Sequence, residues 1–218
     1  MLHRAEEDYL KNIYKLTIEK DRKLVKNNEL AELLGFTDQT VNEMIKKLET
    51  KKLVKYTPYK GVSLTNKGLK EAIRLVRSHR IWEVFLYEKL NLSWKNVHAE
   101  AENLEHASSD LVVDLLYDFL GNPEYCVHGN KIPKLDGSYQ KDYDLSLINA
   151  EINDEFIIKR VLDHEQLLNF LDDNNLSIDD KLFIKEKDDF NKILIIRNKE
   201  KNITISYTTA QIIYGIIK

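Results

Sequence analysis

The sequence predicts a mainly α-helical chain with a small amount of β structure: a winged helix-turn-helix, a helical dimerisation domain and a C-terminal SH3-like β-barrel. Apolar residues recur at three- and four-residue intervals from Glu7 to Leu120. Short runs rich in β-branched residues follow from about Glu155. Three Pro and seven Gly in 218 residues are too few for an all-β chain crowded with tight turns.

A first amphipathic helix is expected over Glu7 to Glu19, where Leu10, Ile13, Tyr14 and Thr17 share a face. A second runs from Asn28 to Leu34, with Leu30, Ala31, Leu33 and Leu34 apolar, and stops at Gly35, which enters the left-handed region without a Cβ penalty. Thr37 can cap a third helix, whose Val41, Met44, Ile45 and Leu48 face inward. Helix, short turn through Gly35 and Phe36, helix: this is helix-turn-helix spacing. Leu53 to Leu64 alternates through Val54, Tyr56, Val62 and Leu64 about a Pro58-Tyr59-Lys60-Gly61 turn, which makes a two-stranded wing.

A long apolar helix is predicted from Thr65 through Leu69, Ile73, Val76, Trp82, Val84 and Phe85. A further helical block starts at Ser93 and reaches Leu120 through Val97, Ala101, Leu104, Leu111, Leu115 and Phe119, before Gly121-Asn122-Pro123 stops it. Long apolar helices outside a compact unit need covering, and a second copy of the chain covers them most economically, so a homodimer is expected. Residues 129–149 hold Gly, Pro, Ser and Asp with weak periodicity and read as a linker. The runs Glu155 to Leu162, Lys181 to Glu186, Lys192 to Arg197 and Asn202 to Tyr207, with one helix at His164 to Leu171, predict a small barrel. The expected domains are thus 1–75 (winged helix-turn-helix), 76–128 (helical, metal-binding and dimerising), 129–149 (linker) and 150–218 (SH3-like).

With 43% apolar and 32% charged residues the chain reads as an ordinary helix-rich protein. No apolar run approaches the roughly 18 to 20 residues that span a bilayer, and Met1 to Lys11 lacks the apolar core of a signal peptide, so the expectation is a cytoplasmic protein without a membrane partner. The single cysteine, Cys126, has no internal disulfide partner and is free for a metal. Residues 1–75 carry 16 Lys and Arg against 11 Asp and Glu, net +5, and residues 76–218 carry 17 against 25, net −8. A basic first third on an acidic remainder suggests double-stranded DNA as its partner. The helix starting at Thr37 would read bases with Gln39, Thr40 and Asn42, while Lys46, Lys47, Lys51, Lys52 and Lys60 supply phosphate charge and Tyr59 stands at the wing tip. Taken singly, each lysine is as well explained by solvation; as a set behind a helix-turn-helix they favour DNA.

Between His79 and His106 six candidate metal ligands fall at helical spacings: His79, Glu83, His98, Glu102, Glu105 and His106. Glu102, Glu105 and His106 share a helix face, and two carboxylates with an imidazole suit a divalent cation of intermediate hardness. Asp8 on the first helix is placed to fill an open position if the helices pack together. His79, Glu83 and His98, followed by Cys126-Val127-His128, form a second constellation, although Cys-x-His alone is weak and a lone Cys is often buried filler. A solvated acidic helix that carries histidines is the plain alternative.

Asp8-Tyr9-Leu10, the helix-turn-helix, the wing from Pro58 to Thr65, His79-Arg80-Ile81-Trp82-Glu83, the His98 to His106 block and Cys126-Val127-His128-Gly129 together resemble the diphtheria toxin repressor family, over nearly the whole chain. The likeness is to the manganese-responsive branch that keeps a C-terminal, FeoA-like domain. It implies a homodimeric, metal-activated repressor with a primary site at Asp8, Glu102, Glu105 and His106. It also implies an ancillary site at His79, Glu83, His98, Cys126 and His128, with Asp163 matching a ligand from the C-terminal domain. Iron-sensing relatives have Met and Cys where this chain has Asp8 and Glu102, so Mn²⁺ is the expected metal, Fe²⁺ the alternative, and Zn²⁺ or other divalent ions substitutes in vitro. Some manganese sensors have a Glu where Lys11 stands here, so their paired-manganese arrangement is not expected. The family often has Pro at Gln39, and its operator sequence is therefore not transferred.

Three readings follow: a repressor switched by metal in cellular metal homeostasis, with no enzymatic activity; an iron-dependent repressor of the same family, or a DNA-binding protein whose metal is only structural; and a metallohydrolase using the open divalent site. Nothing resembling an oxyanion device accompanies the ligands, which ranks the hydrolase last.

Overall fold

The computed structural model describes residues 2–136 and 142–218, so residues 137–141 of the expected linker lie outside the described residues. The chain groups into two compact units, one of Met1–His79, Glu102–Leu115 and Pro133–Tyr139, the other of Arg80–Ala101, Leu116–Ile132 and Gln140–Lys218.

In the first unit α1 spans Arg4–Thr17. It begins three residues before the expected Glu7 because the His3 amide donates to the Glu6 carboxylate at 2.9 Å and closes the first turn. α2 (Asn27–Leu34) ends at Gly35 with φ +68, and α3 (Asp38–Thr50) is capped by Thr37, whose hydroxyl accepts from the Thr40 amide at 3.2 Å. The antiparallel wing pairs β1 (Val54–Thr57) with β2 (Gly61–Leu64). Val25 adds a bridge to Val62, with N–H···O distances of 3.0 and 2.8 Å. α4 runs Asn66–Glu88, and Thr65 caps its start by accepting from the Gly68 amide at 3.1 Å. Leu10, Ile13, Leu30, Val41, Leu48, Val62 and Ala72 are fully enclosed and form the core that fixes α1 against α3 and the wing.

The helical block expected from Ser93 to Leu120 is two helices, α5 (Trp94–Ala107) and α6 (Asp110–Phe119). Ser108 and Ser109 make the break. Ser108 Oγ donates to the Leu104 carbonyl at 2.7 Å and Ser109 Oγ accepts from the Val112 amide at 3.4 Å, so one hydroxyl takes a helix carbonyl while the other caps a new helix. Leu111, Leu115 and Phe119, four residues apart along α6, are 69, 60 and 66% exposed.

The second unit contains a six-stranded antiparallel sheet in the order β3-β8-β4-β5-β6-β7. Its strands are β3 (Leu145–Ser146), β4 (Glu155–Val161), β5 (Lys181–Asp188), β6 (Ile193–Asn198), β7 (Lys201–Ser206) and β8 (Ile213–Ile217), with α7 (Glu165–Asp173) and the short α8 (Tyr207–Ala210) between strands. Register shifts at Ile158/Arg160 and Ile184/Glu186 are bulges of the kind that curl a sheet. Phe156, Ile158, Leu182, Leu194, Ile196, Ile205 and Ile213 fill its core. Among the described residues no helix is long and apolar enough to cross a membrane.

The approach of Gly61 to Val25 gives a test. At φ +131 a Cβ on residue 61 would stand 2.2 Å from the Val25 carbonyl oxygen. Gly61→Ala should therefore cost about 1 to 3 kcal/mol in denaturant unfolding, and a loss below about 0.5 kcal/mol would show that the bridge yields freely.

Candidate metal centre and nucleic-acid face

Both groups of candidate ligands are held mainly by helices, and each has a part that lies wholly inside one unit. In the first unit α1 brings Asp8 beside the end of α5. His106 Nε2 stands 2.9 Å from Asp8 Oδ1 and 3.3 Å from Glu105 Oε1, and ligand atoms of the three residues fall within 4.8 Å of one another. Despite that proximity the buried Nε2 makes no hydrogen bond of acceptable geometry. A nitrogen enclosed by two carboxylates is a donor set that fits a divalent cation. On its other side His106 Nδ1 donates to Glu7 Oε2 at 2.7 Å. Burial opposes the charged form of His106, but the carboxylates of Asp8 and Glu7 outweigh it and hold its pKa above the usual histidine value.

Glu102 points elsewhere. Its carboxylate, with Glu105 and His79, surrounds the ammonium of Lys11, which is only 2% exposed. Lys11 Nζ donates to Glu105 at 2.7 and 2.8 Å, donates to Glu102, and lies 3.4 Å from His79 Nδ1. His79 Nδ1 in turn sits 2.6 Å from Glu105 Oε2. Burial would raise the pKa of Glu102, yet the charges of Lys11 and then His79 hold it well below the carboxylate range. Ligand atoms of His79, Glu102 and Glu105 also converge within 4.8 Å. A lysine thus places a positive charge where those residues would otherwise hold a second cation.

In the second unit Glu83, Cys126 and His128 bring ligand atoms within 4.8 Å of one another, all three buried. Glu83 Oε1 is 3.0 Å from His128 Nδ1 and 3.5 Å from His98 Nδ1, and Asp163 Oδ1 is 3.7 Å from His128 Nδ1. Asn130 donates to Asp163 at 2.9 Å and orients it. The tight Cys126-Val127-His128-Gly129 turn depends on Gly129, at φ +74, because a Cβ there would come 2.0 Å from the Lys159 carbonyl oxygen. Burial pushes the Cys126 thiol well up, and the charges of Glu83 and Asp163 push it further, so a cation is what would favour its thiolate. Two carboxylates, two imidazoles and a thiol suit a divalent transition metal.

The start of α3 is open to solvent. Gln39, Thr40, Asn42 and Lys46 are exposed, as are Tyr59 and Lys60 on the wing, with Tyr59 at φ +62 and fully exposed. Gln39 donates to Glu43 at 3.2 Å and Asn27 donates to Asn42. Not all the lysines are spare. Lys47 and Lys51 lie 3.1 and 2.6 Å from the fully buried Glu6, an ion pair that fastens α3 to the first turn of α1. Sequence reasoning missed Glu6, Glu7 and the pairing of Lys11 with Glu102, Glu105 and His79. The available signal was the run Glu6-Glu7-Asp8, three acids where a helix start usually has one or two.

Family models match three successive stretches of the chain. Residues 1–62 match the iron dependent repressor N-terminal DNA binding domain, residues 65–134 the iron dependent repressor metal binding and dimerisation domain, and residues 145–216 the FeoA domain. An uncharacterized HTH-type transcriptional regulator of Methanocaldococcus jannaschii is 41% identical over 114 residues, 52% of this chain and 90% of that protein. The HTH-type transcriptional regulator MntR of Geobacillus kaustophilus is 34% identical over 114 residues, 52% of this chain and 79% of its own length. The solved structure of the manganese regulator SloR superposes with a TM-score of 0.84 at 37% identity, covering 98% of each chain.

The Glu6 ion pair should be visible in acid. Burial would raise the Glu6 pKa, but hydrogen bonds from Lys51, the His3 amide and Lys47 bring it down to about 2 from an ordinary 4.5. A depressed carboxylate stabilises the fold above its unfolded pKa and loses that contribution as pH falls through the folded one. Stability of the parent should therefore fall between pH 4.5 and about 2 more steeply than that of Glu6→Gln. Parallel curves in denaturant titrations across that window would refute the pairing.

Proposed function

This chain belongs to the diphtheria toxin repressor family of metal-dependent transcriptional repressors, and from that premise we propose that it binds operator DNA as a homodimer when Mn²⁺ is held by Asp8, Glu102, Glu105 and His106. The observation that carries the reading is the meeting of Asp8 with Glu105 and His106 inside the same compact unit as the winged helix-turn-helix. Three of the four residues already share one point; Glu102 is the carboxylate that Lys11 engages, and it completes the set by turning from the ammonium. A cation there supplies charge that ties α1 to α5, and DNA must then tighten metal binding by the factor with which metal tightens DNA binding. Oxygen ligands at Asp8 and Glu102 favour Mn²⁺ over softer ions, in keeping with the manganese regulator SloR.

Glu83, His98, Cys126, His128 and Asp163 form the ancillary site, which supports the fold of the second unit. His79 is the sixth residue expected of the set, and it also lies beside Glu105. The exposed Leu111, Leu115 and Phe119 on α6 support self-association. Gln39, Thr40 and Asn42 read bases from the open start of α3, while Lys46 and Lys60 meet phosphates.

Operator DNA selected from a random pool and titrated with and without Mn²⁺ tests the reading. The parent should bind tightly only with Mn²⁺; equal affinity without it would leave a constitutive DNA-binding protein. Asp8→Ala and Glu105→Ala should abolish the metal response, whereas Cys126→Ala weakens it. An unchanged Mn²⁺ midpoint for Asp8→Ala would move the switch to the Cys126 site.

The two kinds of lysine should also separate. Lys46→Ala is expected to weaken binding to all sequences and lower the salt slope by about 1. Lys47→Ala, already paired with Glu6, should lower the slope less; equal slopes for the two variants would show that the pair opens on DNA.

A further inference from the structure

Glu7 lies next to Asp8 in sequence and touches the same histidine, yet both of its oxygens are taken. Oε2 accepts from His106 Nδ1 at 2.7 Å and Oε1 accepts from Arg74 Nη2 at 2.6 Å. Arg74 is itself fixed, its Nε donating to Glu71 at 3.3 Å and its Nη1 lying 3.9 Å from Asp110. The contacts place Glu7 behind the histidine, with Asp8 and Glu105 in front of it.

An imidazole that holds a metal must present one nitrogen as a lone pair and carry its proton on the other. Which nitrogen does which is decided by the partner of the protonated one, and here the two ring nitrogens have unlike surroundings. Nδ1 points at a carboxylate anchored by a guanidinium, an acceptor with nothing to donate. Nε2 points between Asp8 and Glu105, where it makes no hydrogen bond of acceptable geometry. We infer that Glu7 is a positioning residue of the metal centre: it accepts a hydrogen bond from Nδ1–H of His106, so that Nε2, which faces Asp8 and Glu105, is the nitrogen left to hold a metal, and it is itself held by Arg74. The assignment rests on the proposed ligand role of His106 and adds the residue that prepares that ligand. Such partners raise the basicity of a ligating histidine and lock its ring, and losing one costs about 10- to 100-fold in metal affinity.

The test uses the full chain without DNA. Mn²⁺ binding is measured by calorimetry for the parent, His106→Ala, Glu7→Leu and Glu7→Gln, and ¹⁵N spectra of the Cd²⁺-loaded parent report the tautomer of His106. Glu7→Leu should bind Mn²⁺ about 10- to 100-fold more weakly, and Glu7→Gln should recover part of the loss, because its carbonyl oxygen still accepts from Nδ1. The spectrum should show the proton on Nδ1 and the metal on Nε2. Unchanged affinity in Glu7→Leu, a Gln variant no tighter than the Leu variant, or metal on Nδ1 would each overturn the inference. If the Leu variant does not fold, the Gln variant and the spectrum decide: Gln binding more than about 100-fold weaker than the parent, or metal on Nδ1, overturns it. If His106→Ala binds as tightly as the parent, the ligand assignment under Proposed function fails; loss in His106→Ala with none in Glu7→Leu sinks only the role of Glu7.

Discussion

Glu6 and Glu7 in the first turn of α1 are buried, and buried carboxylates need positive or proton-bearing partners, which much of the first unit is arranged to supply. Glu6 is fully buried against Lys47 and Lys51 of α3; Glu7 takes Arg74 of α4 and His106 of α5; Asp8 meets His106 from the other side. Removing one member of a buried pair leaves an uncompensated charge, a far larger penalty than the pair itself contributes. One helical turn therefore binds three other helices by obligation. The proposed reading helix and the proposed metal ligands are fastened to the same stretch of backbone.

The neighbouring acids on α5 are handled differently. Glu102 and Glu105 share the ammonium of a lysine that belongs to α1, and the ammonium is enclosed on the His79 side as well. A covalently attached cation needs no supply from solution, so one of the two negative charges in this half of the pocket is offset at any metal concentration. The half that faces Asp8 has no such charge of its own beyond the histidine.

Helices α1 to α3, the wing and four strands of the sheet were legible from periodicity and caps, because their burial follows from local spacing. Gly35 and Thr37 stop and start helices by local backbone chemistry alone. Three things were not legible. The Ser108-Ser109 break was hidden inside an otherwise continuous apolar repeat. β8 was missed because Ile213 to Ile217 is apolar apart from Tyr214 and Gly215 and shows no clean alternation. Glu6, Glu7 and Lys11 looked like ordinary solvated positions of an amphipathic helix, and acids at a helix start are already explained by the dipole. Their partners on other helices lie 41 to 99 residues away, a separation that no local pattern encodes. Asp8, Glu105 and His106, by contrast, were named from their spacing and a family resemblance, and the fold brings them to one point.

The two serines that end α5 and begin α6 also bear on how such a chain can change over time. In an unbroken helix each inserted residue would turn everything beyond it by about 100°, carrying Leu111, Leu115 and Phe119 off their common face relative to Glu105 and His106. With the ladder interrupted and restarted by side-chain hydroxyls, the ligand end of α5 and the open stripe of α6 are separate pieces of helix. A residue inserted at the joint does not by helix geometry alone have to turn α6 with α5. Ligand set and apolar stripe are thereby free to diverge independently in descendants of this sequence.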